Sequence, residues 1–171
     1  YENNDILIIN KPAGMLSQKA KKDDYSLVEA ISDYLLESGA LTKEQLRTFH
    51  PGICNRLDRN TSGIVVAGKS IYGLQTMTAA FKERTLHKYY LCIVKGNVEK
   101  RSRVKGYLYK NERTNKVTIL QNAPKGKEKD ILPIETEYIP VCANKQATLL
   151  KVNLLTGRSH QIRAHLSFLG H

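Results

Sequence analysis

The feature that most constrains this chain is the stretch of residues 55–70, NRLDRNTSGIVVAGKS. Turn formers, Asn60, Thr61, Ser62 and Gly63, lead directly into the apolar residues 64–67, an order that predicts a polar loop feeding a buried strand. The loop sets one carboxylate, Asp58, between two guanidiniums, Arg56 and Arg59. Charge on a loop at the rim of a sheet is placed to meet a ligand. Ser70 then caps a helix on which Ile71, Leu74, Met77 and Phe81 share one side, so the segment reads loop, strand, helix.

Ahead of this segment, residues 5–10 (DILIIN) make a strand-length apolar run. It closes at Lys11, Pro12, Ala13 and Gly14, where proline and glycine force a turn. Lys11 then stands at a strand end, free to reach a phosphate or to support the loop. Ser26 and Glu29 form a capping box for a helix carrying Leu27, Ile31, Tyr34 and Leu35, which Gly39 stops. A short second helix is expected over residues 41–49, capped by Thr42.

Downstream, residues 88–94 (KYYLCIV) predict a strand apolar on both faces and therefore central in its sheet. Alternation puts Lys88, Tyr90, Cys92 and Val94 together on one face. Residues 107–109 and 117–120 predict a hairpin turning over 111–115, followed by a charged loop at 123–130. Residues 134–141 and 147–155 predict a second strand pair, joined at 143–146. The closing stretch, TGRSHQIRAHLSFLGH, predicts a helix from Ser159 with Ile162, Leu166 and Leu169 toward the core. His160, Arg163 and Ser167 fall on its opposite face.

A length of 171 residues with 41% hydrophobic content suits one well-packed domain, so residues 1–171 are expected to form a single domain. The formal charge of +11 favours a polyanionic partner, with nucleic acid foremost. Between positions 95 and 129 eleven Lys and Arg face three Glu, a segment able to hold a phosphate backbone by salt-sensitive attraction. Cys54, Cys92 and Cys142 are odd in number and lack C-x-x-C spacing, so they read as reduced core residues of a cytoplasmic protein. No metal site is expected: His160 and His165, five apart, point about 140° away from each other on a helix. No membrane-spanning run or signal peptide is seen. The chain opens on Tyr1 and ends inside a motif-like stretch, which reads as a piece of a longer protein truncated at its C-terminal end.

Residues 55–63 resemble the signature of the RluA-type pseudouridine synthases, H-R-L-D-x-x-T-S-G. Arg56, Leu57, Asp58, Thr61, Ser62 and Gly63 match it, and Asn55 stands where the family usually has histidine. The opening strand with its N-K-P-x-G ending, the pattern K-x-Y-x-x-x-V-x-G at Lys88, Tyr90, Val94 and Gly96, and residues 154–165 resemble the family's other blocks. The resemblance implies an α+β fold: a mixed, mostly antiparallel sheet with flanking helices and loops. It further implies an enzyme that converts uridine to pseudouridine in RNA, most often ribosomal RNA. Asp58 would be the catalytic carboxylate, as nucleophile or by assisting a glycal route.

Tyr90 would pack on the target base and take the C5 proton, and Arg163 would pair with Asp58 and fix its position. Lys11, Asn55, Arg56, Arg59, Lys88, Arg158, His160 and Gln161 would contact RNA, with Arg56 filling the space left by a flipped base or holding its phosphate. No cofactor or metal is implied. A monomer is expected, without the S4-like domain that some family members carry ahead of the catalytic one. The competing expectation is a non-catalytic RNA-binding or ribosome-assembly module. Asp58 argues against it, since a carboxylate among arginines repels phosphate.

Overall fold

The computed structural model describes residues 1–111, 114, 116–122 and 131–171. The expected loop at 123–130 and most of the turn at 111–115 lie outside the described residues. The chain is α+β and divides into two compact units, Tyr1–Leu86 and His87–His171, each built on its own antiparallel sheet.

The first unit contains β1 (Ile6–Lys11), α1 (Leu27–Glu37), α2 (Lys43–Thr48), β2 (Gly52–Ile53), β3 (Gly63–Gly68) and α3 (Ile71–Glu83). Its sheet runs β1-β3-β2. The middle strand buries four successive residues, Val65, Val66, Ala67 and Gly68, as expected of a strand covered on both faces. The register sets Lys11 opposite Gly63, bringing the end of β1 to the start of β3.

The expected capping box of Ser26 with Glu29 forms on α1, and the expected Thr42 cap of α2 is a box as well, with Gln45; each satisfies two backbone donors at a helix start. Ser70 caps α3 through the Gly73 N–H. Leu74, Met77 and Phe81 lie on the less exposed side of α3, as expected. Ile71 is the exception at 58% exposed, and glycine seats the start of the helix. A Cβ on Gly73 would stand 2.1 Å from the Asp5 carbonyl oxygen, and one on Gly68 would stand 2.5 Å from Leu74 Cα. These two glycines let the helix lie directly on the strand ends.

The second unit contains β4 (Tyr89–Lys95), β5 (Ser102–Asn111), β6 (Lys116–Leu120), β7 (Ile131–Ala143), β8 (Ala147–Leu154) and α4 (Gln161–Phe168). The sheet order is β4-β8-β7-β5-β6. One core cluster gathers Val94, Val98, Tyr138, Leu150, Val152 and Leu166, with Tyr90, Cys92, Ile162 and Leu169 packed against it. A second holds Leu108, Ile119 and Ile134.

The expectation that residues 88–94 make a central strand is overturned: β4 lies at one end of the sheet order. Leu91 and Ile93 are 69% and 76% exposed on the face away from the core. Apolar residues on both faces of a strand report what the strand can bury, and only the Tyr90, Cys92 and Val94 face does so here. Cys142 is also exposed. It follows a register shift in β7 between Pro140 and Cys142, the kind of bulge that turns a strand's side chains out of alternation.

Among the described residues, no helix is long and apolar enough to cross a membrane.

Candidate functional site

In the first unit the loop between β2 and β3 carries Asn55, Arg56, Asp58 and Arg59, and neighbouring side chains fasten it along its length. The Asn55 amide acts as a surrogate peptide. Its Nδ2 donates to the Ile64 carbonyl at 3.1 Å, and its Oδ1 accepts the Val66 N–H at 2.8 Å. Cys54 N–H has just donated to the Val66 carbonyl at 2.7 Å. The side chain therefore continues the β2–β3 pairing while the backbone leaves the sheet. Two residues on, the Ser17 hydroxyl donates to the Leu57 carbonyl at 2.7 Å and accepts the Leu57 N–H at 3.1 Å.

Beyond Asp58, Lys11 completes the fastening. Its side chain is fully buried, and Nζ donates to the carbonyls of Pro12 and Met15, both at 2.9 Å, and of Arg59 at 3.2 Å. Arg59 and Gly14 also exchange hydrogen bonds, Gly14 N–H to the Arg59 carbonyl at 2.8 Å and Arg59 Nε to the Gly14 carbonyl at 3.1 Å. Burial pushes the Lys11 ammonium pKa down, and the nearby negative charge of Asp58 partly offsets this. With three donors on three carbonyls, Lys11 supports the loop and has no hydrogen left for a phosphate. The RNA contact expected of it is replaced by that role.

The loop's own turn closes through the Thr61 N–H on the Asp58 carbonyl at 3.0 Å. Asp58 is half-buried, while Arg56 and Arg59 are exposed. Arg56 reaches Gln18 Oε1 at 3.5 Å, the outer limit of a hydrogen bond. The outcome is a carboxylate on a backbone held from both sides, flanked by two guanidiniums open to solvent.

In the second unit a polar network fixes the segment before α4. Gln161 is buried: Nε2 donates to the Glu135 carbonyl at 3.1 Å and to Thr136 Oγ1 at 2.9 Å. Its Oε1 accepts from Thr156 Oγ1 at 2.9 Å and from the Arg158 N–H at 3.0 Å. Four hydrogen bonds exhaust a carboxamide's ordinary capacity, so Gln161 shapes the loop instead of contacting RNA. His165, also buried, meets Thr136 Oγ1 through Nδ1 at 3.0 Å, and burial pushes its pKa down.

Residue 160 takes the left-handed conformation, with φ 58°, and α4 begins after it, two residues later than expected. Arg163 Nη2 contacts His160 Nδ1. Since a guanidinium only donates, that ring nitrogen is the acceptor. Arg158 and Arg163 are exposed. Lys88 extends over the loop: a Cβ on Gly157 would lie 2.8 Å from Lys88 Nζ. Tyr90 is half-buried against the core cluster that also receives Ile162 and Leu166.

The basic segment is partly self-neutralised. Arg103 Nε donates to Glu135 at 2.7 Å, Lys105 lies 3.7 Å from the same carboxylate, and Arg101 is paired with Glu137. Arg103 holds the Glu135 carboxyl below its usual range, and Arg101 does the same for Glu137. Sequence reading passed over Ser17, Thr136 and Thr156. A single hydroxyl, even one inside a recognised block as Thr156 is, carries no signal of the distant group it will meet.

Residues 5–168 match the family model described as RNA pseudouridylate synthase. The chain is 32% identical, along its whole length, to the ribosomal large subunit pseudouridine synthase C of Vibrio vulnificus, covering 49% of that protein. It is 30% identical, over 99% of its length, to the ribosomal large subunit pseudouridine synthase D of Borreliella burgdorferi, covering 50% of it. The chain thus spans about half the length of the curated relatives it matches. Among solved structures, human RNA pseudouridylate synthase domain containing 4 superposes with a TM-score of 0.75 at 18% identity, covering 98% of this chain and 62% of that one. Human RNA pseudouridylate synthase domain containing 1 gives 0.68 at 24% identity, with coverage of 100% and 64%. At these identities the likeness is one of fold.

Proposed function

The chain belongs to the RNA pseudouridylate synthase family, and from that premise we propose that it isomerises uridines to pseudouridine in RNA, ribosomal RNA first, with Asp58 as the catalytic carboxylate. The observation that carries the proposal is the loop: side chains of Lys11, Ser17 and Asn55 hold its backbone on both sides of Asp58. A carboxylate held in place before substrate arrives lowers the entropic part of a barrier.

The reaction breaks the bond between the ribose and uracil N1, turns the base, and rejoins it through C5, which gives up its proton. It is an isomerisation and needs no electron carrier. Asp58 acts beside the ribose, as nucleophile or in forming a glycal, and in both cases its negative charge is what the step uses. Tyr90 packs on the base and receives the C5 proton. Arg163 orients the carboxylate through the two-pronged geometry that a guanidinium offers. A uridine inside folded RNA must leave its stack to be reached, and the exposed Arg56 is suited to fill the space or hold the phosphate. On this proposal residues 1–171 act as one catalytic domain, as a monomer, in the cytoplasm.

Pseudouridine mapping of cellular RNA with and without the protein tests the proposal. Loss of one or a few defined sites is expected. An unchanged map, with RNA binding intact, would leave a binding module in place of an enzyme.

A further inference from the structure

We infer that Ser17 is a positioning residue for Asp58, an inference that rests on the function proposed above. Ser17 is 5% exposed and Leu57 is 8% exposed. One hydroxyl serves both backbone groups of Leu57, donating to its carbonyl at 2.7 Å and accepting its N–H at 3.1 Å. This is the exchange a neighbouring strand residue would make, performed by a side chain forty positions away in sequence. Leu57 precedes Asp58, so fixing both ends of its peptide environment fixes the direction in which the chain enters Asp58.

The clamp sits where backbone pairing stops. Asn55 makes the last side-chain link to β3, and Lys11 takes hold again only at Arg59. Between those two points Ser17 bonds the residue adjoining the carboxylate. Ser17 is itself anchored in the segment before α1, where the Leu27 N–H donates to the Leu16 carbonyl at 2.8 Å. The hydroxyl thus ties the Asp58 loop to that helix start. Alanine leaves the Leu57 N–H and carbonyl buried without this partner, and the loop gains freedom at the residue before Asp58.

Two readouts on the full chain decide the matter. In single-turnover assays at saturating RNA, Ser17→Ala should slow isomerisation at least tenfold with RNA affinity within twofold of wild type, and Ser17→Thr should recover most of the rate. A purely structural role would instead lower the folded fraction and leave the rate per folded molecule unchanged. Independently of activity, amide hydrogen exchange at Leu57 and Thr61 should quicken at least tenfold in Ser17→Ala while β1 and β3 amides stay protected. Unchanged exchange at these two amides overturns the inference, even if the chain proves to have no synthase activity. Quickened exchange with a wild-type rate overturns it as well. If Ser17→Ala does not fold, Ser17→Cys, whose sulfur bonds weakly, carries the same readouts.

Discussion

Replacing Lys11 by Met keeps a similar length and an apolar stem but removes the buried ammonium. Nζ serves three carbonyls, those of Pro12, Met15 and Arg59. The Arg59 carbonyl retains the Gly14 N–H, so the heavier loss falls on the other two. A hydrogen bond from a charged donor contributes about 1.5–3 kcal/mol, and releasing the desolvation that depresses the Lys11 pKa returns part of it. A net destabilisation of about 3–4 kcal/mol follows, against a domain stability of roughly 5–15 kcal/mol. Urea unfolding followed by far-ultraviolet circular dichroism suits a chain with no tryptophan. With a slope of about 2 kcal/mol per molar, the midpoint should fall by roughly 1.5–2 M. Lys105→Met, whose side chain is 77% exposed, is the control and should change stability by less than about 0.5 kcal/mol. A shift below about 0.5 M for Lys11→Met would refute the assignment of Lys11 as the support of the Asp58 loop.

Gly73→Ala should lower stability by about 2–3 kcal/mol even though alanine favours helix by about 1 kcal/mol, because the new Cβ meets the Asp5 carbonyl; a thermal melt at or above wild type would contradict this. Burial lowers the pKa of His165 from 6.5, so below that pH the unfolded chain takes up the proton more readily than the folded one. Stability attributable to this group is intact above pH 6.5 and lost as pH falls toward the folded pKa, at up to about 1.4 kcal/mol per pH unit. Denaturation midpoints between pH 7 and pH 5 should therefore decline less steeply in His165→Gln, and equal slopes would be the contrary result. Arg163→Lys keeps the charge but loses the planar fork. Single-turnover rates should drop by tenfold or more, and a rate within about twofold of wild type, under ~0.5 kcal/mol of barrier, would remove Arg163 from the chemistry.

Local signals were legible wherever one short segment held all the information. Ser26 with Glu29, Thr42, and Ser70 announced their helices because a cap and the backbone it serves are neighbours in sequence. The strand after the Asp58 loop and the antiparallel second half were likewise readable from apolar runs between turn residues. What stayed hidden depended on partners far along the chain. The sequence left Lys11 either reaching a phosphate or supporting the loop, and the carbonyl that decides for the loop is 48 positions away. Gln161 looked like an RNA contact, but its amide is filled by Thr136, Thr156 and the Glu135 carbonyl. The edge position of β4 was illegible because its apolar outer face imitates a covered one. The two-residue β2 is too short to carry any periodicity.

Asp58→Asn tests the central claim most directly, because it removes the charge while keeping the shape and leaving the fastened backbone in place. The measurement is tritium release from RNA labelled at uracil C5, paired with RNA affinity on the same preparation. The account predicts release reduced to background with affinity within about twofold of wild type, a change of under ~0.4 kcal/mol. Wild-type release by the Asn variant would contradict it.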